Sequence, residues 1–146
     1  MRLRLAAVAA VAILLGACAT IPVTERDARV IEVIDRFNTV EPSDFITQSG
    51  VPFLFNDQVL YAESDLVAIL DRLREGGLVI APRVIANDPA RPASADARFD
   101  VQVFHDRLPP DARFVTVPSN AGDVTLILAG EANRLPMLVG LVRGRL

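Results

Sequence analysis

The order of apolar patterns along the chain is the feature that most constrains its fold. In the first half, apolar side chains recur at helical spacing in residues 24–38 and again in residues 65–77. In the second half, three apolar runs are separated by turn-rich stretches, and they read "ARFVTV", "DVTLILAG" and "LPMLVGLV". Helices followed by strands predict an α+β domain, with the helices on one face of an antiparallel meander.

Local signals at the helix ends support this order. Thr24 can cap the first helix, which should stop near Asn38, and Ser64 can cap the second. The pair Gly76-Gly77 supplies a left-handed stop for the second helix. Between the two helices, Pro42 indicates the start of a short helix. Ser43 or Asp44, the two residues after Pro42, is expected to cap this helix.

The middle of the chain predicts further short elements. "VPFLFNDQVLY" places apolar runs on both sides of Asn56-Asp57, a pattern typical of a hairpin. Residues 78–86 predict a strand, which Pro82 confines to an edge or a bulge, and residues 87–96 predict a polar loop. Residues 98–108 fit both strand and helix spacing, and helix is favoured. Gly140 and Gly144 are expected to mark bends or bulges rather than ligand contacts.

The chain after its N-terminal segment resembles the nuclear transport factor 2-like superfamily, which includes the ketosteroid isomerases. The resemblance covers about residues 26–146 and lies in the order of elements and in Pro52-Phe53, Asn56-Asp57 and Ser64. It implies a cone-shaped α+β fold, with a curved antiparallel sheet packed against N-terminal helices. Because many unrelated functions share this scaffold, the resemblance does not specify an activity.

The N-terminus has the three-part layout of a secretory signal. Arg2 and Arg4 precede an apolar run, and small residues follow it. The apolar stretch from Leu5 to Ala19 has 15 residues, fewer than the roughly 20 that a membrane-spanning helix needs, so a cleaved signal is favoured.

The sequence "LGAC" at residues 15–18 resembles the lipobox of bacterial lipoproteins. The resemblance implies cleavage between Ala17 and Cys18, a diacylglyceryl group on the Cys18 thiol, and an acylated new N-terminus carrying, for example, palmitate. Ala19 follows the cysteine where inner-membrane lipoproteins tend to have Asp, which implies the outer membrane facing the periplasm. The expected organisation is a signal peptide (1–17), a lipidated N-terminus with a short tether (18–25) and a domain (26–146).

Charge and cysteine content exclude several classes of function. The net charge falls from −3 to −5 once the signal is removed, because the signal carries Arg2 and Arg4 and no acidic residue. The charges are scattered without a basic stripe, so nucleic-acid binding is not expected. Cys18 is the single cysteine, and its lipidation would leave the domain without a thiol.

The candidate catalytic residues are few and have simpler explanations. His105 is the single histidine, and its neighbour Asp106 would not face it on a regular element, so a surface polar pair is favoured. No metal site or cofactor is expected. An isomerase-type reaction would draw on Tyr61 and on acids, which are Asp44, Asp57 and Asp100. No motif fixes these positions, so no catalytic residue is predicted and the ligand-binding residues stay unknown.

The sequence therefore favours a membrane-anchored, periplasm-facing lipoprotein without catalysis. Its domain would bind a small apolar ligand in the cone or a protein partner on an exposed sheet face. One alternative is a small enzyme of the ketosteroid-isomerase type that uses a pocket carboxylate. The other is a structural module that forms a homodimer through its sheet.

Overall fold

Six strands form one sheet in the computed structural model, which describes residues 24–130 and 134–146. Within these residues, four α-helices accompany the sheet: α1 (Glu25–Thr39), α2 (Pro42–Phe45), α3 (Glu63–Glu75) and α4 (Phe99–Asp106). The strands are β1 (Ser49–Phe55), β2 (Gln58–Leu60), β3 (Ala86–Pro89), β4 (Arg113–Ser119), β5 (Gly122–Ala129) and β6 (Met137–Arg143). The α+β class expected from the sequence is confirmed.

The strand order is β2-β1-β6-β5-β4-β3, and the sheet is mixed. β1 pairs with β6 in parallel, whereas every other neighbouring pair is antiparallel. The expectation of a purely antiparallel sheet was wrong. A parallel pair needs a long crossover, and here all the chain between β1 and β6 provides it, so the last strand returns beside the first.

Helices cover both faces of the sheet. α1, α2 and α3 pack on what we call the first face, through large buried side chains such as Val30, Phe45 and Leu66. α4 packs on the second face, where Val101 and Phe104 join a separate buried cluster. The expectation that all helices lie on one face was therefore wrong.

Strand residues alternate between these two clusters. On β1, Phe53 faces the first cluster and Leu54 the second; on β5, Leu126 and Ile127 divide in the same way. This period of two is the direct consequence of strand geometry. Because both sets of side chains are buried, the central strands read as continuous apolar runs rather than as an alternation of apolar and polar residues.

The helix ends agree with the sequence in part. Thr24 caps α1, and its hydroxyl accepts a hydrogen bond of 3.2 Å from the backbone N–H of Asp27. Gly77 follows α3 with a φ of 72°, the left-handed stop that was expected. The other predicted caps were wrong, because Glu41 and Ala62 occupy the N-cap positions of α2 and α3 and neither makes a side-chain capping bond.

The predicted hairpin is present around Asn56, whose φ of 55° makes the tight turn between β1 and β2. The Asn56 side chain also accepts a hydrogen bond of 2.9 Å from the backbone N–H of Arg143. The three C-terminal strands and α4 are confirmed too. Gly140 lies beside a register shift between β5 and β6, and Gly144 has a φ of 83°, as expected of bulge and bend positions.

The strand predicted at residues 78–86 was wrong. In that stretch the structure has one isolated bridge, between Ile80 and Ser119, and β3 begins only at Ala86. Around Ile80 the chain does pair with β4, since the N–H of Ala81 donates to the carbonyl of Pro118 at 2.8 Å, but the pairing stops at Pro82, which has no N–H, and the N–H of Arg83 turns back to the carbonyl of Ala81. On the side away from β4, the Asn38 side chain donates to the carbonyl of Ile80 at 2.8 Å and accepts from its N–H at 3.1 Å.

Candidate functional site

A cleft opens on the first-face side of the domain, where the C-terminal ends of α1 and α3 meet α2. Residues 77–79 close its remaining side, and its volume is about 150 Å³. We call it the helical cleft. Its apolar walls are formed by Phe37, Val40, Pro42, Phe45, Leu70, Leu78 and Val79.

The walls of the helical cleft are built from well-packed side chains. Phe45 is 2 % exposed, and its ring meets that of Phe37 edge to face with the centroids 5.7 Å apart. Pro42 is also buried, as the first residue of α2. These contacts fix the floor of the cleft, so its shape is largely preformed.

Hydrogen bonds hold the rim of residues 77–79 in place. Asn120 donates to the carbonyl of Gly77 at 2.7 Å, and its side-chain oxygen accepts from the N–H of Val79 at 3.0 Å. The N–H of Asn120 in turn donates to the carbonyl of Val79 at 3.1 Å. The side chain of Val79 stays 54 % exposed on this rim.

Of the described residues that line the cleft, two are polar, and both already have partners within the protein. Asn38 is engaged with the backbone of Ile80. Arg74 donates from Nη2 to the carbonyl of Val40 at 3.0 Å, while its Nη1 lies 2.6 Å from Glu41 Oε2. That second contact is an ion pair without hydrogen-bond geometry, and Nη1 itself is buried. The free surface of the cleft is therefore mainly apolar, with one cation at its margin.

A second cleft, which we call the histidine cleft, lies on the other side of the molecule, beside the end of α4. It has a volume of about 230 Å³ and is lined by His105, Asp106 and the segments 90–92 and 108–110. Nδ1 of His105 lies 2.9 Å from the carbonyl oxygen of Arg91. Because a carbonyl can only accept, Nδ1 carries the proton in this contact.

The histidine is held as a packing residue. Its ring meets those of Phe104 and Phe114 edge to face, with centroids 5.8 and 5.6 Å away. Asp106 is exposed on the helix surface. The ring therefore contacts α4, β4 and the loop at residue 91. A surface polar pair with Asp106 would not provide these contacts.

The other candidate catalytic residues lie apart from the helical cleft. Tyr61 is 64 % exposed, Asp44 and Asp57 are exposed, and Asp100 pairs with Arg98 at 3.1 Å. Within residues 24–130 and 134–146, the buried polar residues are Ser49, Thr116 and Thr125, none of which is a carboxylate. The structure does not bring Tyr61 and a buried acid together as the isomerase-type reaction would require.

The expected lipidation and cleavage positions, Cys18 and Ala17, lie outside the described residues, as does the expected signal peptide. In the part of the chain that the structure describes, no helix is both long and apolar enough to cross a membrane. The same part contains no group of His, Cys, Asp and Glu side chains placed to hold a metal ion.

The sequence alone did not indicate Arg74 or Asn38. On a helical pattern both residues read as part of the polar, solvent-facing side. Their positions at the two helix C-termini were visible, but the convergence of those termini depends on tertiary packing. A basic residue in the last turn of α3 was the one available signal, and it is common in helices without any site.

Comparisons of the chain with protein-family models, with curated proteins and with solved structures gave no match.

Proposed function

We propose that this chain is a lipoprotein anchored to the outer membrane and facing the periplasm, whose domain binds a small apolar ligand in the helical cleft. The anchor part rests on the lipobox-like residues 15–18 and the basic and apolar regions before them. Several acyl chains on Cys18 would hold the domain stably at the membrane, whereas one chain would bind only marginally.

The observation that carries the binding proposal is the composition of the helical cleft. Its walls are apolar and largely preformed, and its two polar residues, Asn38 and Arg74, already bond to backbone groups of the protein. Asn38 has both side-chain bonds made and Arg74 lies at the margin, so apolar surface is the main source of affinity for a ligand inside the walls. A cavity of about 150 Å³ is the size that takes up benzene in an engineered apolar site, so a single ring or a short aliphatic chain fits this cleft.

We further propose that the domain belongs to the nuclear transport factor 2-like superfamily. The order helix, short helix, hairpin, helix and C-terminal meander supports this assignment. Between the hairpin and the meander, α4 covers the second sheet face. Because α4 covers this face, a partner protein or a second copy bound to an exposed sheet face has less support. The enzyme alternative has no support from the scattered positions of its candidate residues, which are Tyr61, Asp44, Asp57 and Asp100.

The anchor is tested by replacing Cys18. The Cys18→Ser variant should no longer incorporate a fatty-acid analogue in growing cells, because serine has no thiolate to accept the lipid. It should also appear as an uncleaved or soluble species on fractionation. Labelling equal to that of the unaltered chain would overturn the anchor assignment.

The ligand is tested by mass spectrometry of the natively extracted protein, with two tryptophan variants. Val79→Trp places a large side chain on the rim of the helical cleft, whereas Ile85→Trp places one at a similarly exposed aliphatic position outside it. We expect a retained apolar molecule on the unaltered chain and on Ile85→Trp, and none on Val79→Trp. Equal retention by both variants would place the ligand elsewhere.

A further inference from the structure

We propose that the ligand of the helical cleft carries a carboxylate next to its apolar group, and that this carboxylate takes the place of Glu41 beside Arg74. The inference rests on the proposed function, because it assigns the ligand class of the same cleft.

Arg74 is positioned to bind a carboxylate at the mouth of the cleft. Its Nη2 is fixed by the carbonyl of Val40 at 3.0 Å, so the orientation of the guanidinium group is set before any ligand arrives. Its side chain is 34 % exposed, and its Nη1 is buried without a hydrogen-bond acceptor of good geometry. A planar guanidinium group favours a carboxylate because two parallel N–H groups match its two oxygens.

Glu41 shows that a carboxylate fits at this position and that it is weakly held there. Its Oε2 lies 2.6 Å from Arg74 Nη1, but the side chain of Glu41 is 72 % exposed. Although Glu41 is the N-cap of α2, its side chain makes no capping bond. Because the Glu41 side of this ion pair is exposed to solvent, the pair contributes little to stability, and an incoming carboxylate with its own apolar contacts can displace Glu41.

The charge and the size of the cleft narrow the ligand class further. Arg74 is the one charged residue among the described residues that line the cleft, so an anion is favoured over a cation once Glu41 is displaced from Arg74. The volume of about 150 Å³ suits one ring or a short chain rather than a long acyl chain. The structure thus assigns an aryl or short-chain aliphatic monocarboxylate.

The test compares three probes with the same apolar group: 4-phenylbutyrate, 4-phenylbutan-1-ol and 4-phenylbutylamine. The full chain is placed in nanodiscs of zwitterionic lipid, and the methyl NMR signals of Leu70 and Leu78 report occupancy of the cleft. We expect 4-phenylbutyrate to bind at least tenfold more tightly than the alcohol at pH 7, and the amine to bind most weakly.

Three variants assign the preference to its residues. Glu41→Gln removes the internal competitor and should raise the affinity for 4-phenylbutyrate two- to fivefold without changing that for the alcohol. Arg74→Gln should abolish the difference between the two probes. Arg72→Gln, which removes the same charge from the exposed side of the same helix, should leave the difference unchanged.

The outcomes separate this inference from the proposed function. Equal binding of the acid and the alcohol, or a Glu41→Gln variant with no gain for the acid, would overturn the carboxylate assignment and leave the apolar site intact. No response of Leu70 and Leu78 to any probe would overturn the site itself. Because Glu41→Gln leaves Arg74 and its bond to Val40 in place, the test survives even if Arg74→Gln unfolds the domain.

Discussion

The two faces of the sheet differ in what covers them. The first face is covered by three helices that contribute large buried side chains, among them Val30, Phe45 and Leu66. The second face is covered by one eight-residue helix and by the loop before it, whose packed residues are small, namely Ala90, Ala93 and Ala97. The first face therefore supplies most of the burial that stabilises the fold, because stabilisation scales with apolar area removed from water.

This difference also separates the two clefts. The helical cleft lies where the large first-face helices end, and a gap left between helix ends can be apolar and still rigid. The histidine cleft lies at the end of α4, and a ring that joins α4 to β4 and the loop forms part of its wall. A binding site is thus better supported at the helical cleft. The histidine cleft is formed by residues that pack α4 and its preceding loop onto the second face.

The largest loss of stability should come from truncating a buried aromatic ring on either face, and the loss should be larger on the first face. Phe53→Ala removes a fully buried ring from the first-face cluster, so we expect a loss of about 4 kcal/mol in the free energy of unfolding. Phe104→Ala should cost about 3 kcal/mol, since its short helix and small-residue loop can collapse into the space. Urea denaturation of both variants measures the difference.

Phe99→Ala is the matched control for these two, because Phe99 is 79 % exposed and should change stability by less than about 0.5 kcal/mol. If Phe104→Ala cost as much as Phe53→Ala or more, the two faces would contribute equally and the comparison would fail.

A smaller effect should follow from crowding the second face at a glycine. A Cβ at Gly140 would lie 2.8 Å from Ile127 Cδ1 and 3.1 Å from the carbonyl oxygen of Leu54. Backbone cannot give way easily, so Gly140→Ala should cost about 2 kcal/mol. Gly50→Ala is the control: its Cβ would meet only Met137 Cε, the free end of a flexible side chain, at 3.1 Å. Equal unfolding midpoints for the two variants would contradict this expectation.

The smallest effect concerns an acid in the loop that covers the second face. The hydroxyl of Ser94 donates to the Asp96 carboxylate and holds the pKa of Asp96 below its ordinary value of 3.8. Since the folded pKa is the lower one, any stabilisation is present above pH 3.8 and is lost as the pH falls through the folded value. Ser94→Ala should raise this pKa towards 3.8 in an NMR titration, whereas Ser43→Ala should leave it unchanged.

The elements that the sequence predicted well are those with a strong local pattern. α1, α3, the hairpin at Asn56 and the three C-terminal strands follow from apolar spacing and turn residues that lie within each segment. The position of α4 on the second face and the parallel pairing of β1 with β6 depend on contacts far apart in the chain, and no local signal encodes them.

The strand expected at residues 78–86 shows why local propensity fails at one place. Its β-branched residues favour a strand, but the pairing with β4 stops at Pro82, and Asn38, more than forty positions earlier in the chain, bonds the two backbone groups of Ile80 that face away from β4. The candidate site could not be predicted from the sequence either, because it too depends on contacts between residues far apart in the chain. Asn38 and Arg74 each lie on a helix where a polar residue is ordinary, and their roles arise only where the two helix ends meet.

The most direct test of the account is a titration of the full chain in nanodiscs with the neutral probe 4-phenylbutan-1-ol, followed by methyl NMR. The account predicts saturable shifts for Leu70, Leu78 and Val79 in the helical cleft, and no shifts for Val101 and Val142 on the second face. Unchanged signals from the three cleft residues, or equal shifts on the second face, would contradict it.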